Sequence, residues 1–383
     1  MDGFIFRNPV KIIFKEGAVE HLKEEIKPYN RILLVYGGGS IKKTGIYDKV
    51  MKGLEGKSVT ELSGIIPNPE TTKVYEGIEL CRKNDIDFIL AVGGGSVIDS
   101  AKAIAAGAKL DGDFWDELFM KKSDITDAIP LGSVLTMVGT GSEMNSGGVI
   151  TNPDVKIKCS YGNPLLYPVF SLLDPTFTYT VPKIQMVSGI VDMFSHIMEV
   201  YFSLPDDDNI SDNLSESLMA AVIRNARIAI KDQEDYGARS NLMWIASLAI
   251  NGLLALGKGE DWQSHTLEHT LSAYYHIPHG LGLAIVHPHY LKYVYKGHGD
   301  KFKRFLKRVF DVDPSEMNED EAAELAISKI QDFFKELGAP TKLHEMDIDE
   351  SRLEEMAMNT DEFKVDYSDL KHEDILKIYK SAL

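Results

Sequence analysis

The hydrophobic pattern of the chain changes character near residue 177, and this break constrains the fold more than any other feature. Up to Pro175, short apolar runs of strand length alternate with helix-type segments. Arg31–Tyr36 (RILLVY), Asp87–Val92 (DFILAV) and Leu131–Val138 (LGSVLTMV) are each followed by a glycine-rich turn. Their hydrophobicity is continuous rather than alternating, which suits strands covered on both faces, as in a parallel sheet. Helix-type stretches at Ile46–Leu54, Thr71–Asn84 and Ser96–Ala106 lie between them, so an open α/β sheet is expected. Asn152-Pro153-Asp154 predicts a hairpin joining Gly148–Thr151 to Val155–Cys159. From Val181 onward the pattern is helical: Ile184–Phe202, Ser211–Lys231, Leu242–Leu256, Glu321–Leu337 and Glu373–Leu383. The chain therefore reads as an α/β domain with a parallel sheet over residues 1–177 and an all-helical domain over 178–383.

At 383 residues the chain can bury about three quarters of its unfolded surface and needs no staple. It carries 41 basic and 58 acidic side chains, a net charge of −17, which argues against nucleic acid or an anionic membrane as partner. Its two cysteines, Cys81 and Cys159, are far apart and form no metal or disulfide framework, so the reducing cytoplasm is the expected compartment. The N-terminus has no leader pattern, and no run reaches the ~18 apolar residues of a membrane span.

Gly37–Ser40 and Gly93–Ser96 are both Gly-Gly-Gly-Ser, each after an apolar strand, and Gly139–Ser142 is a third glycine-rich segment. Glycines let backbone approach a ligand closely, and free N–H groups at a helix N-terminus attract phosphate. Three such turns at strand ends favour a phosphate-bearing ligand. A purely structural reading of Ser96 and Asp99 is a capping box. Neither Gly-rich loop fits G-x-G-x-x-G, because Lys42 and Ile98 replace the third glycine. Gly252–Gly259 (GLLALGKG) resembles a P-loop but ends in glycine and follows a helical run, which excludes an NTPase reading.

Seven of the eleven histidines fall between His265 and His298. Asp192 and His196 stand at i and i+4 in an apolar helix, where both groups are costly unless paired or metal-bound. A hydrogen-bonded core pair is the alternative. His265 and His269 repeat the spacing, and His279 follows a Pro278–Gly280 turn. Spacing alone nominates Asp192, His196, His265 and His269 as ligands and leaves His279 open. Three imidazoles and one carboxylate suit Fe(II) or Zn(II). His287, His289, His298, His344 and His372 read as scattered surface histidines, and H-E-x-x-H is missing.

Taken in order, YGGGSIKKTG (36–45), PNPE (67–70), VGGGSVIDSAK (92–102), GTGSEMN (139–145), LDP (173–175), the Asp192/His196 helix and DWQSHTLEHTLSAYYHIPHGLGLAIVHP (261–288) resemble the iron-containing (group III) alcohol dehydrogenases. The resemblance is nearest to the branch of NADPH-dependent butanol dehydrogenases and broad-range aldehyde reductases. It implies a modified Rossmann domain plus a helical metal domain, a dehydroquinate synthase-like architecture. It makes Asp192, His196, His265 and His279 the metal ligands, with Fe2+ as the first choice and Zn2+ as the second, and moves His269 to proton relay. Gly94, Gly95 and Ser96 then cradle a pyrophosphate, with Asp99 toward the nicotinamide. Asn68, Thr136, Thr140, Ser142, Lys158 and Tyr179 match other cofactor-lining positions. NAD-preferring relatives tend to carry an aspartate in the loop occupied here by Gly37, Gly38, Gly39 and Ser40, so NADP(H) is expected over NAD(H). The implied activity is hydride transfer between that cofactor and a primary alcohol or aldehyde, in a homodimer. A lyase of dehydroquinate-synthase-like type is the alternative on the same fold.

Overall fold

The computed structural model describes residues 2–362, 364 and 367–383. They form two compact units, Arg7–Val181 and Pro182–Leu383, the latter joined by the N-terminal residues up to Phe6. Residue 177 itself lies in a short 3-10 turn, Pro175–Thr178, and the division falls a few residues later, where Pro182 caps the next helix.

The α/β unit runs β1 (Lys11–Phe14), α1 (Leu22–Glu25), β2 (Arg31–Gly37), α2 (Ser40–Lys43), α3 (Ile46–Gly53), β3 (Ser58–Ile65), α4 (Thr71–Lys83), β4 (Phe88–Gly93), α5 (Gly95–Gly107), β5 (Leu131–Leu135), β6 (Gly147–Asn152), β7 (Ile157–Gly162) and β8 (Phe170–Leu173). Six strands form one parallel sheet in the order β1-β8-β5-β4-β2-β3. Ile32–Tyr36 of β2 and all of β4 are buried, which is why their sequences show no alternation. The expected hairpin is present as antiparallel β6–β7, with Asn152 opposite Ile157.

The other unit is helical: α6 (Lys183–Tyr201), α7 (Ile210–Ala229), α8 (Tyr236–Ala249), α9 (Gln263–Tyr275), α10 (His279–Val294), α11 (Gly299–Val309), α12 (Glu319–Leu337), α13 (Leu353–Asn359) and α14 (His372–Ser381). Side-chain caps start several of them: Asn209 accepts from Asp212 N, Asp235 from Ala238 N, and Asn318 forms a capping box with Glu321. The helix expected over Leu242–Leu256 starts earlier, at its Asp235 cap, and stops at Ala249, because Asn251 turns the chain by accepting from Leu253 N (3.0 Å). Met186–Tyr201 of α6 is buried at every position, so this helix is the core of its unit. Among the described residues no helix is long and apolar enough to cross a membrane.

Candidate active site: a glycine-lined sheet end and a histidine–carboxylate cluster

β3 lies beyond β2, whereas β5, β8 and β1 lie beyond β4, so the connections diverge between β2 and β4. Open α/β sheets bind ligands outside the strand C-termini at such a switch point. The two Gly-Gly-Gly-Ser loops follow the ends of these two strands, Gly37 and Gly93. Gly94 caps α5, and a Cβ on Gly95 would stand 2.3 Å from the Thr140 side chain, so only glycine lets the third loop close on the helix start. Thr136 N donates to Gly93 O at 3.0 Å. Gly94, Gly95, Ser96, Thr136 and Thr140 are thereby gathered near the end of β4.

Asp99 and Ser142 are engaged within the protein. Asp99 accepts from Ser142 Oγ (2.6 Å) and Val149 N (3.0 Å), so the capping box expected with Ser96 does not form; the side chain turns inward instead. Lys102, fully buried and overlooked in the sequence, donates to Ser142 O and Oγ, Asn145 Oδ1 and Gly147 O at 2.6–2.9 Å. Burial takes its ammonium down to about 8, against the opposing pull of Asp99, and pushes the Asp99 carboxyl up. Elsewhere, Lys158 Nζ donates to Asn68 Oδ1 (3.0 Å), and Thr151 N to Pro69 O (2.8 Å), which ties the PNPE turn to the hairpin. Tyr179 is half-buried after the 3-10 turn. Beside Gly37–Ser40, Glu61 accepts from Tyr36 and Tyr47 hydroxyls (2.6 and 2.7 Å), and Lys42 Nζ stands 3.6 Å from it. The loop itself holds no acid, but one lies next to it on β3.

In the helical unit, α6 supplies Asp192 and His196, α9 supplies His265 and His269, and α10 begins at His279. Asp192 Oδ1 lies 3.5 Å from His196 Nε2, 3.5 Å from His279 Nε2 and 3.9 Å from His265 Nε2. Asp192 Oδ1 and His265 Nε2 are buried with no hydrogen-bond partner. Orphaned polar atoms at this depth are costly, and three imidazole nitrogens converging on one carboxylate oxygen are a donor set for a divalent cation. The ligand atoms of Asp192, His265 and His279 lie within 4.8 Å of one another, as do those of Glu268, His269 and His279. The His269 ring centroid is 5.5 Å from that of His279. Burial pushes the Asp192 carboxyl up, but the histidines, His196 foremost, hold it below the usual range. Burial takes His196 down to about 4, whereas the Asp192 and Glu199 carboxylates overcome burial and raise His265 to about 9.

Two buried carboxylates escaped the sequence reading. Glu199 Oε1 accepts from His265 N (3.0 Å) and faces His265 Nδ1 at 2.8 Å. Glu268 pairs with His279 Nδ1 and accepts from Ser272 Oγ. Glu199 carried the signal that singled out Asp192, an acid in an apolar helix, whereas Glu268 stands among polar residues in SHTLEHTLS and carried none. The reading of His287 and His289 as surface residues is overturned. His287 is fully buried and lowered to about 4 by burial, and His289 packs inside with Nδ1 2.8 Å from Ser381 Oγ. Pro288 lies within α10, which is buried from Gly280 to Leu291, so neighbouring positions have no face turned to water. His298 is also partly covered, paired with Asp206 at 2.8 Å and stacked on Tyr367, while His344 is exposed. Gly280 N donates to Ser188 Oγ (3.1 Å), and a Cβ there would stand 1.9 Å from Ser188 O, so the start of α10 lies backbone-close to α6.

Two family profiles match the chain, iron-containing alcohol dehydrogenase over residues 9–175 and the C-terminal part of the same family over residues 186–383. The chain is 45% identical to a probable NADH-dependent butanol dehydrogenase 1 of Bacillus subtilis, with all of both chains covered. It is 37% identical to the NADPH-dependent aldehyde reductase YqhD of Escherichia coli, again over the whole of both. The crystal structure of NADH-dependent butanol dehydrogenase A from Thermotoga maritima superposes with a TM-score of 0.96 at 40% identity, covering 100% of this chain and 99% of that one. The chain therefore belongs to the iron-containing alcohol dehydrogenase family and is an oxidoreductase acting on CH–OH groups.

Proposed function

We propose that this enzyme interconverts primary aldehydes and alcohols of about butanal size with NADP(H), using a divalent cation, iron first and zinc second, held by Asp192, His196, His265 and His279. The observation that carries the reading is the convergence of three histidine Nε2 atoms on the orphaned Asp192 Oδ1. The cation, when bound, supplies Lewis acidity toward a carbonyl oxygen. The nicotinamide supplies the hydride. The chain's own residues bind and align. Amides of Gly94, Gly95 and Ser96 at the start of α5 receive the pyrophosphate, with Thr136 and Thr140 beside them. Asn68, Lys158 and Tyr179 line the remainder. Asp99 and Ser142 act from beneath, fixing the loop through Lys102. His269, beside His279, moves a proton to or from the substrate oxygen.

Gly37, Gly38, Gly39 and Ser40 offer backbone and hydroxyl donors to a 2′-phosphate, with Lys43 exposed nearby, which supports NADPH. The relatives' names include both NADH- and NADPH-dependent enzymes, so the comparison of cofactors is a direct test. We also infer a cytoplasmic homodimer; the exposed Phe4, Ile5 and Phe6, just ahead of edge strand β1, offer an apolar surface for a second copy.

Iron-loaded enzyme given butanal should consume NADPH continuously, at least about tenfold more efficiently than NADH, a difference of about 1.4 kcal/mol. Equal efficiency overturns the loop argument, and a lyase that cycles its cofactor gives no net consumption. His279→Ala should lose metal, whereas His269→Ala should keep it and slow turnover by about 100-fold. Full metal in His279→Ala refutes the ligand set.

A further inference from the structure

His279 is the least buried of the four proposed ligands, its side chain 22% exposed, and it opens a helix rather than sitting inside one. Something must hold its ring against solvent and fix which nitrogen faces Asp192. Glu268 is placed to do this. It is fully buried on α9, and both carboxylate oxygens are committed, Oε1 to the Ser272 hydroxyl and Oε2 to His279 Nδ1. A carboxylate that already receives a hydroxyl proton acts as acceptor toward Nδ1 as well, so His279 carries its hydrogen there and leaves the Nε2 lone pair toward Asp192. Glu268 and Ser272 stand at i and i+4 on α9, while His279 and Gly282 stand at i and i+3 on α10, so each pair shares a helix face.

Gly282 is the second, independent observation. A Cβ there would lie 2.7 Å from Glu268 Oε1, 2.8 Å from its Cγ and 3.2 Å from its Cδ. The missing side chain is the space in which the Glu268 carboxylate sits. Glu199 does the corresponding work for His265 from α6.

We propose that Glu268 is the positioning residue for His279 and that Gly282 admits it, so that this pair sets the cation affinity of the site. The inference rests on the reading of His279 as a ligand. Because both oxygens of Glu268 are spent, its role is to orient the imidazole rather than to bind the cation.

The test is the Zn2+ dissociation constant of the full chain, stripped of metal and titrated in competition with a chromophoric chelator, with circular dichroism and the metal-free melting temperature recorded for each variant. Glu268→Gln should weaken Zn2+ by about 10- to 100-fold, as loss of a carboxylate behind a ligand histidine does, with the metal-free melting temperature little changed. Gly282→Ala should cost about tenfold in the wild-type background and less than about twofold in the Glu268→Asp background, whose shorter side chain leaves room for the methyl group. Ser272→Ala keeps the test open if a Glu268 variant fails to fold, and should weaken Zn2+ by a few-fold. Wild-type affinity in Glu268→Gln, or an equal cost of Gly282→Ala in both backgrounds, overturns the inference. If His279→Ala itself binds Zn2+ as the wild type does, the ligand assignment fails instead, and the two failures are distinguishable.

Discussion

Two buried polar networks, one in each unit, are treated in opposite ways. In the α/β unit the Lys102 ammonium is fully buried and saturated by four acceptors from the Ser142–Gly147 segment. In the helical unit Asp192 Oδ1 and His265 Nε2 are buried as well and have no hydrogen-bond partner. A polar network closed within the chain is scaffold: it fixes where backbone amides and glycine loops stand. A network left open marks where something from outside the chain must enter. On the proposed reading, the α/β unit presents main chain to the cofactor and the helical unit presents side chains to the cation.

Removing a member of the open network should have the largest effect. Asp192→Ala should release the metal and lower kcat/KM by about 1000-fold or more, the several kcal/mol of Lewis-acid stabilisation, while NADPH affinity by fluorescence titration stays within about twofold. If cofactor affinity falls with it, the separation of roles is wrong. Opening the closed network should cost stability instead. Lys102→Met removes the donor that four acceptors share and should destabilise the protein by about 3 kcal/mol, measured by denaturant unfolding, with metal content of the folded protein unchanged. A smaller perturbation of main chain is Gly95→Val, whose Cβ meets Thr140. It should raise the KM for the cofactor by about tenfold, the equivalent of one charge-assisted hydrogen bond, and leave metal binding intact. The mildest is Ser40→Asp, which sets a charge against a 2′-phosphate and should weaken NADPH by about fivefold, ~1 kcal/mol, with NADH little affected in steady-state kinetics.

What the sequence made legible follows the same division. The runs RILLVY and DFILAV announced β2 and β4 because burial on both faces leaves no alternation, and the glycines marked their ends. Asp192 and His196 stood out because polar groups in an apolar helix need a reason. The choice between His269 and His279 was not legible, since it depends on where α10 starts relative to α6, a contact between Gly280 and Ser188 separated by 92 positions. Lys102 and Glu268 passed as ordinary charged residues, because their burial is a tertiary property with no local pattern, whereas Glu199 shared the apolar helix that singled out Asp192 and was overlooked. His287 and His289 were misread as scattered surface histidines because nothing local shows that α10 is buried on every side from Gly280 to Leu291.

The closeness of α10 to α6 at Gly280 and Ser188 has a thermodynamic consequence. Donors on α6, α9 and α10 meet only once these distant stretches of chain have come together, so an ion that binds all of them binds the folded unit alone. At a free concentration about 1000 times its dissociation constant, such an ion adds about 4 kcal/mol to folding stability. In a protein whose two cysteines are both free, it is a reversible cross-link, and chelation should lower the melting temperature of the helical unit as reduction does in a disulfide-bonded domain.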